Sequence, residues 1–132
     1  MDGVGDFLAR WTPSYDGPGV LLHTEVMREH LVVEPRDGAW RISGLVDFEP
    51  AMLGAPEYEL AAVGIFLTCG EPGLLGAFLD AYGAEVDDEL PLRILAYALL
   101  HRYSNLPWYL ERLPVLDDVG DLESLARRWF TP

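Results

Sequence analysis

The sequence predicts an α+β fold, a small β unit followed by helices, on three observations. Short β-branched or leucine-rich runs, VLLH (20–23), HLVVEP (30–35) and WRISGLVDF (40–48), crowd the stretch before residue 50. From Pro56 onward the apolar residues recur at helical spacing instead. Strands first and helices afterwards is the order of a segregated α+β arrangement, not of an alternating one.

Each element has its own signal. VGDFLARW (4–11) reads as a helix tail, stopped by Pro13 and the turn SYDGPG. RDG (36–38) joins the second and third runs as a hairpin, because Asp and Gly tolerate positive φ. Along the third run Trp40, Ile42 and Val46 share a face, and Gly44 leaves room for close backbone approach. PEYELAAVGIFLTC (56–69) opens with Pro56, Glu57 and Glu59, all suited to a helix N-terminus; its apolar residues lie nearly all round, which predicts a central helix. A shorter helix over 71–83 is closed by Gly83. A longer one over 87–106 carries Leu92, Leu95, Leu99, Tyr103 and Leu106 on one stripe, and Pro107 ends or kinks it. DLESLARRWF (121–130) is an amphipathic closing helix, with Asp121 as N-cap and Arg127 and Arg128 at its negative end.

Composition excludes several classes of function. The 132 residues suffice for one domain with a real core, and half are apolar, which argues against disorder. No apolar run approaches the ~20 residues of a membrane-spanning helix, and the start lacks the regions of a signal peptide. The single cysteine, Cys69, rules out an internal disulfide framework, fits a reducing cytoplasmic setting, and reads as a core filler. Net charge is −13, and all nine basic residues are arginines. Such a surface repels nucleic-acid phosphates and attracts a cationic small molecule or partner. Without lysine there is no amine nucleophile and no phosphate-gripping ammonium.

Three segments hold the chemistry: His23, Glu25 and His30; then Asp47 and Glu49; then Glu57 and Glu59. If the runs at 30–35 and 40–48 pair through their turn, His30 and Asp47 become neighbours, with Glu25 on the loop just before them. Ionisable groups gathered at one end of a small sheet are costly to desolvate without a partner or a task. His101, inside a helical stretch, reads as a packed histidine.

HTEVMREH (23–30), LVDFEPAMLG (45–54) and GAPEYELA (54–61) together resemble the C-terminal lobe of the aminoglycoside phosphotransferase family, a branch of the kinase-like fold associated with antibiotic resistance. That family carries a catalytic loop H-G-D-x-x-x-x-N, a hairpin, an I-D-[FW] metal-binding stretch and G-D-P-x-x-D-L-A at a helix start. The likeness covers residues 4 to 130 and is nearest to hygromycin-type kinases. It implies a mostly helical C-lobe over residues 1–132, with a small β-hairpin carrying the catalytic and metal-binding loops. It assigns Glu25 the position of the catalytic acid that deprotonates the substrate hydroxyl. His30 takes the place of a metal-binding asparagine, and Asp47 that of the aspartate bridging metal and nucleotide phosphates. Glu59 braces the catalytic loop, and His23 is structural within it. Glu49, Asp117 and Asp118 would receive a hydroxylated, cationic, aminoglycoside-like substrate.

ATP and Mg²⁺ (or Mn²⁺) are the implied cofactors. Glutamate stands where the family has aspartate at 25 and 59, Ala55 replaces the acid of the G-D-P turn, and His30 is a softer ligand that suits manganese or zinc better than magnesium. With no lysine and no glycine-rich loop after a strand, the N-terminal nucleotide-binding lobe is expected to be absent from this chain, leaving it inactive alone and without tight ATP binding. Two other readings stand beside this one. His23, Glu25, His30 and Asp47 could form a divalent transition-metal module, or the chain could be a pseudokinase-like scaffold.

Overall fold

Asp37 and Gly38 take left-handed φ values of 53° and 78°. They form the two-residue turn that closes a hairpin of β2 (Leu31–Arg36) and β3 (Ala39–Leu45). The computed structural model of the chain describes residues 3–114 and 119–132. A bulge between Val32 and Val33 sets Val32 opposite Gly44 and Val33 opposite Ile42. Trp40 and Ile42 do share a face with Val33, but it is open, with Trp40 72% and Ile42 66% exposed. The third run is also shorter than its apolar letters suggest: pairing stops at Leu45, and Val46 to Phe48 leave the strand.

A second two-stranded antiparallel sheet pairs β1 (Val20–Leu22) with β4 (Met52–Gly54), Leu21 lying opposite Leu53. Only Leu22 of its long apolar side chains is buried, so β4 carries no strong hydrophobic signature. Its role is to tie the chain after Asp47 back beside the strand that leads into His23.

The helices form the core. α2 (Pro56–Ala62) begins with Pro56 at its first turn and continues as a wide π turn over Val63–Leu67, where a single regular helix to residue 69 was expected. The turn sits directly on the closing helix: a Cβ on Gly64 would lie 2.5 Å from Phe130 Cε1. α1 (Val4–Trp11) buries Phe7, and α3 (Pro72–Tyr82) ends on Gly83 at φ 75°. α4 (Leu90–Leu100) is shorter than the predicted 87–106 helix. Its C-cap His101 turns to φ −60°, ψ 143°, taking Tyr103 off the helix. Pro107 then lies in the first turn of a new helix, α5 (Leu106–Arg112), capped by the Asn105 side chain. α6 (Leu122–Phe130) has the expected Asp121 cap, which accepts from Ser124 N at 2.7 Å. α4 packs against α6, and Leu95, Ala96, Leu125, Trp129 and Phe130 lie fully buried in the core they share.

One ion-pair cluster fixes α2 against α4. Arg93 donates to both carboxylate oxygens of Glu57 and to Asp87, with Arg93 Nη2 2.9 Å from each acid. The Glu57 hydrogen bond raises the guanidinium's already high pKa, and the bond from Arg93 lowers that of Asp87. Glu57 is thus a clamp on the helix that carries Glu59. Among the described residues no helix is long and apolar enough to cross a membrane.

Candidate active site

The site grows from one strained residue. Thr24 is fully buried and holds a left-handed φ of 69°, a conformation costly for a β-branched side chain. All three of its polar groups are fastened, each by a different segment. Its N–H donates to both Glu59 oxygens at 3.2 Å, from α2. Its hydroxyl donates to the Pro50 carbonyl at 3.2 Å, and its own carbonyl accepts from His101 Nε2 at 2.7 Å, just past α4. Glu59 also takes the His23 N–H at 2.7 Å. Strain at Thr24 is therefore over-determined by buried contacts, and it fixes the direction in which the chain enters Glu25.

His23 faces the hairpin side. Its Nε2 donates to the Val46 carbonyl at 2.8 Å, while Nδ1 accepts the Glu25 N–H at 3.3 Å. Phe48 packs edge-on to the ring at 4.6 Å. Both nitrogens are thus committed to backbone, so His23 cannot serve in the metal module suggested by the sequence pattern. Among the described residues no group of three or more histidine, cysteine or carboxylate side chains is arranged to hold a metal ion.

His30 ends the loop in a short 3₁₀ turn (Arg28–His30), not at the start of a strand. Its Nδ1 donates to the Glu25 carbonyl at 2.7 Å, and its own carbonyl accepts from Val46 N at 3.0 Å. Nε2 lies 3.4 Å from Asp47 Oδ2; it carries a lone pair in the neutral ring and an N–H that pairs with the carboxylate in the charged one. Asp47 has a left-handed φ of 66° and is half exposed. Two atoms that each bond one ion at about 2.0–2.2 Å lie roughly 3–3.5 Å apart, so this pair has the spacing of adjacent ligands.

The structure thus brings His23, Glu25, His30, Asp47 and Glu59 into one constellation. Glu25 is partly buried; its backbone is tied at both ends, and its carboxylate makes no hydrogen bond among the described residues. Glu49 is exposed on the loop after Asp47, apart from these contacts. Asp117 and Asp118 lie outside the described residues. His101 is the contributor that sequence reading left as mere packing. It is 4% exposed, stacked on Tyr58 at 5.1 Å, and its Nδ1 accepts from Tyr103 N at 3.3 Å. Burial pushes its pKa below the ordinary histidine value, against the raising effects of the Thr24 carbonyl and Glu25. No local pattern marks it, because its partner is 77 positions away.

Beside the loop lies a cavity of about 300 Å³, reached between residues 27–29, the π turn and α5. Cys69, read as core, is partly exposed at its edge with φ 53°.

Comparison with known proteins gives one match. The family model described as "Phosphotransferase enzyme family" covers residues 4–95, a span that includes the loop, the hairpin and α2. No curated protein and no solved structure matches the chain.

Proposed function

Because the chain belongs to the phosphotransferase enzyme family, we propose that residues 23–30 and 46–49 are the catalytic and metal-binding loops of a small-molecule kinase lobe. The observation that carries this reading is the pairing of His30 Nε2 with Asp47 Oδ2 at 3.4 Å, directly beside a loop whose backbone is locked around Glu25. Family members act with ATP and a divalent ion. His30 and Asp47 are the residues that would hold the ion here, and the ion would neutralise phosphate charge. An imidazole–carboxylate pair favours Mn²⁺ over Mg²⁺.

Glu25 is the proposed base. It takes the proton of the acceptor hydroxyl as that oxygen bonds to the γ-phosphorus, and the bond from phosphorus to the ADP oxygen breaks. Glu59 and His101 position the loop and touch neither reactant. The open face of Val33, Trp40 and Ile42 supports a second lobe seated on the hairpin, which would cover the nucleotide; without it the chain alone would bind ATP weakly. The charge of −13 draws cations to the surface as a whole; the acceptor itself is chosen by the residues that line its site.

The test has two parts. Mn²⁺ binding to the chain, followed by electron paramagnetic resonance, should be lost in Asp47→Asn and weakened in His30→Ala. In the protein that carries both lobes, phosphate transfer from γ-labelled ATP to hydroxylated small molecules should fall ~10²–10⁴-fold in Glu25→Gln. Unchanged Mn²⁺ binding in Asp47→Asn, or full transfer by Glu25→Gln, defeats the reading.

A further inference from the structure

The chain carries 22 acids against nine arginines, yet the cavity beside the loop reverses that balance. Among the described residues two arginines, Arg28 and Arg112, line it with a single acid, Glu29. The Arg28 Nε–H donates to the Leu67 carbonyl at 2.8 Å, a carbonyl that the π turn presents. That bond anchors the guanidinium and leaves its terminal nitrogens without a hydrogen bond among the described residues. Arg112 lies over the Trp108 ring at 5.3 Å and forms no ion pair among the described residues. The floor is apolar: Ile65, Phe66, Trp108 and Leu113. Phe66 and Trp108 lie with ring centroids 6.3 Å apart. At about 300 Å³ the space sits at the small end of ligand sites, which run from ~300 to ~1,000 Å³.

We infer that this cavity receives the hydroxylated acceptor, and that the acceptor is a flat, apolar-faced molecule of one or two rings bearing an anionic group. The inference rests on reading residues 23–30 as the catalytic loop, since the cavity is walled by the stretch between Glu25 and His30. Aromatic rings on the floor take a flat molecule face-on or edge-on. The two guanidiniums match a carboxylate or phosphate at the rim. A polyamine in the same place would meet like charge at two of the three charged side chains among the described lining residues. The local field thus selects against the class that the net charge of the whole surface attracts.

Three probes share one ring and one hydroxyl and differ in charge: 4-(hydroxymethyl)benzoate, 4-methylbenzyl alcohol and 4-(hydroxymethyl)benzylamine. Binding is read from the indole N–H resonance of Trp108, assigned by its loss in Trp108→Phe, with 2-deoxystreptamine as a polyamine control. The benzoate should bind tightest and the amine weakest. Arg112→Gln should weaken the benzoate ~2- to 5-fold, the scale of an exposed ion pair, and leave the alcohol unchanged. Arg112→Glu should invert the order of benzoate and amine. Tighter binding of the amine or of 2-deoxystreptamine overturns the inference, as does affinity independent of charge, or no shift with any probe. Mn²⁺ binding at Asp47 is measured separately, so a failed cavity and a failed catalytic loop give different results.

Discussion

Removing the Glu59 carboxylate should cost more than any other single side-chain polar contact in the loop. Glu59 accepts from two backbone donors, His23 N at 2.7 Å and Thr24 N at 3.2 Å. Those residues are 5% and 0% exposed, so water does not readily replace the carboxylate. Each buried donor left unsatisfied costs about 1–3 kcal/mol. Glu59→Ala should therefore destabilise the chain by ~2–4 kcal/mol in urea unfolding, a large share of the ~5–15 kcal/mol typical of a domain. Glu59→Gln can keep an oxygen in the Oε2 place, where both N–H groups point, but loses the charge and turns an NH₂ toward Thr24 N–H, so at most about half that loss is expected. Glu59→Asp keeps the charge but falls short by one methylene, ~1.5 Å, and should lie between the two. Amide exchange should locate the effect, with Thr24 N–H losing protection first in the alanine variant. An alanine variant within ~0.5 kcal/mol of the parent, with Thr24 still protected, would refute the claim that Glu59 holds this loop.

His101 predicts a pH dependence. Its folded pKa lies below the ordinary 6.5 because it is buried, so the unfolded chain takes up the proton first as pH falls. Its contribution to stability should be whole above about 6.5 and decline from there toward the folded value. The groups around the ring are Tyr58, Phe66, Tyr103, Glu25 and Arg102. Urea midpoints at several pH values should show this decline in the parent and not in His101→Gln, whose amide can still donate to Thr24; equal slopes would contradict it. Gly64→Ala places a methyl 2.5 Å from Phe130 Cε1 and should cost ~1–3 kcal/mol, with part of the loss recovered in Gly64→Ala/Phe130→Leu. Calorimetric melting of the two variants checks this, and an unaffected single variant would contradict the close packing.

What could be read from the sequence was what is decided locally. The Asp37–Gly38 turn, the Gly83 stop and the Asp121 cap are short-range chemistry, and each stands where its residues place it. Features set by distant partners were hidden. Gly64 in the π turn packs on Phe130, 66 positions later, and β4 exists because Met52 to Gly54 find a strand some thirty positions earlier. The leucine stripe ran on past Leu100, yet the helix stops there, because the His101 ring turns inward to the Thr24 carbonyl. The same divide runs through the site. The neighbourhood of His30 and Asp47 followed from hairpin pairing, whereas the fastening of Thr24 needs α2, α4 and residue 50 together.

That fastening changes the weight of the histidine at position 30, where the family pattern has asparagine. A carboxamide there could give one N–H to the Glu25 carbonyl and turn its oxygen to a metal. The imidazole matches this with different atoms: Nδ1–H goes to Glu25 O at 2.7 Å, and Nε2 faces Asp47 Oδ2 at 3.4 Å. In hydrogen-bond terms the exchange is conservative, and the loop needs no rearrangement to accept it. Under the role proposed for His30, the ligand atom would change from a hard oxygen to a softer nitrogen, and with it the choice of metal. The glutamate at 59 differs in kind. Its longer reach is spent on the backbone of His23 and Thr24, so it sets where the loop stands relative to α2. The carboxylate of Glu25 meets no such fixed partner among the described residues. A departure at 59 therefore acts on the frame, whereas under the roles proposed above one at 30 would act on the metal and one at 25 on the reacting proton.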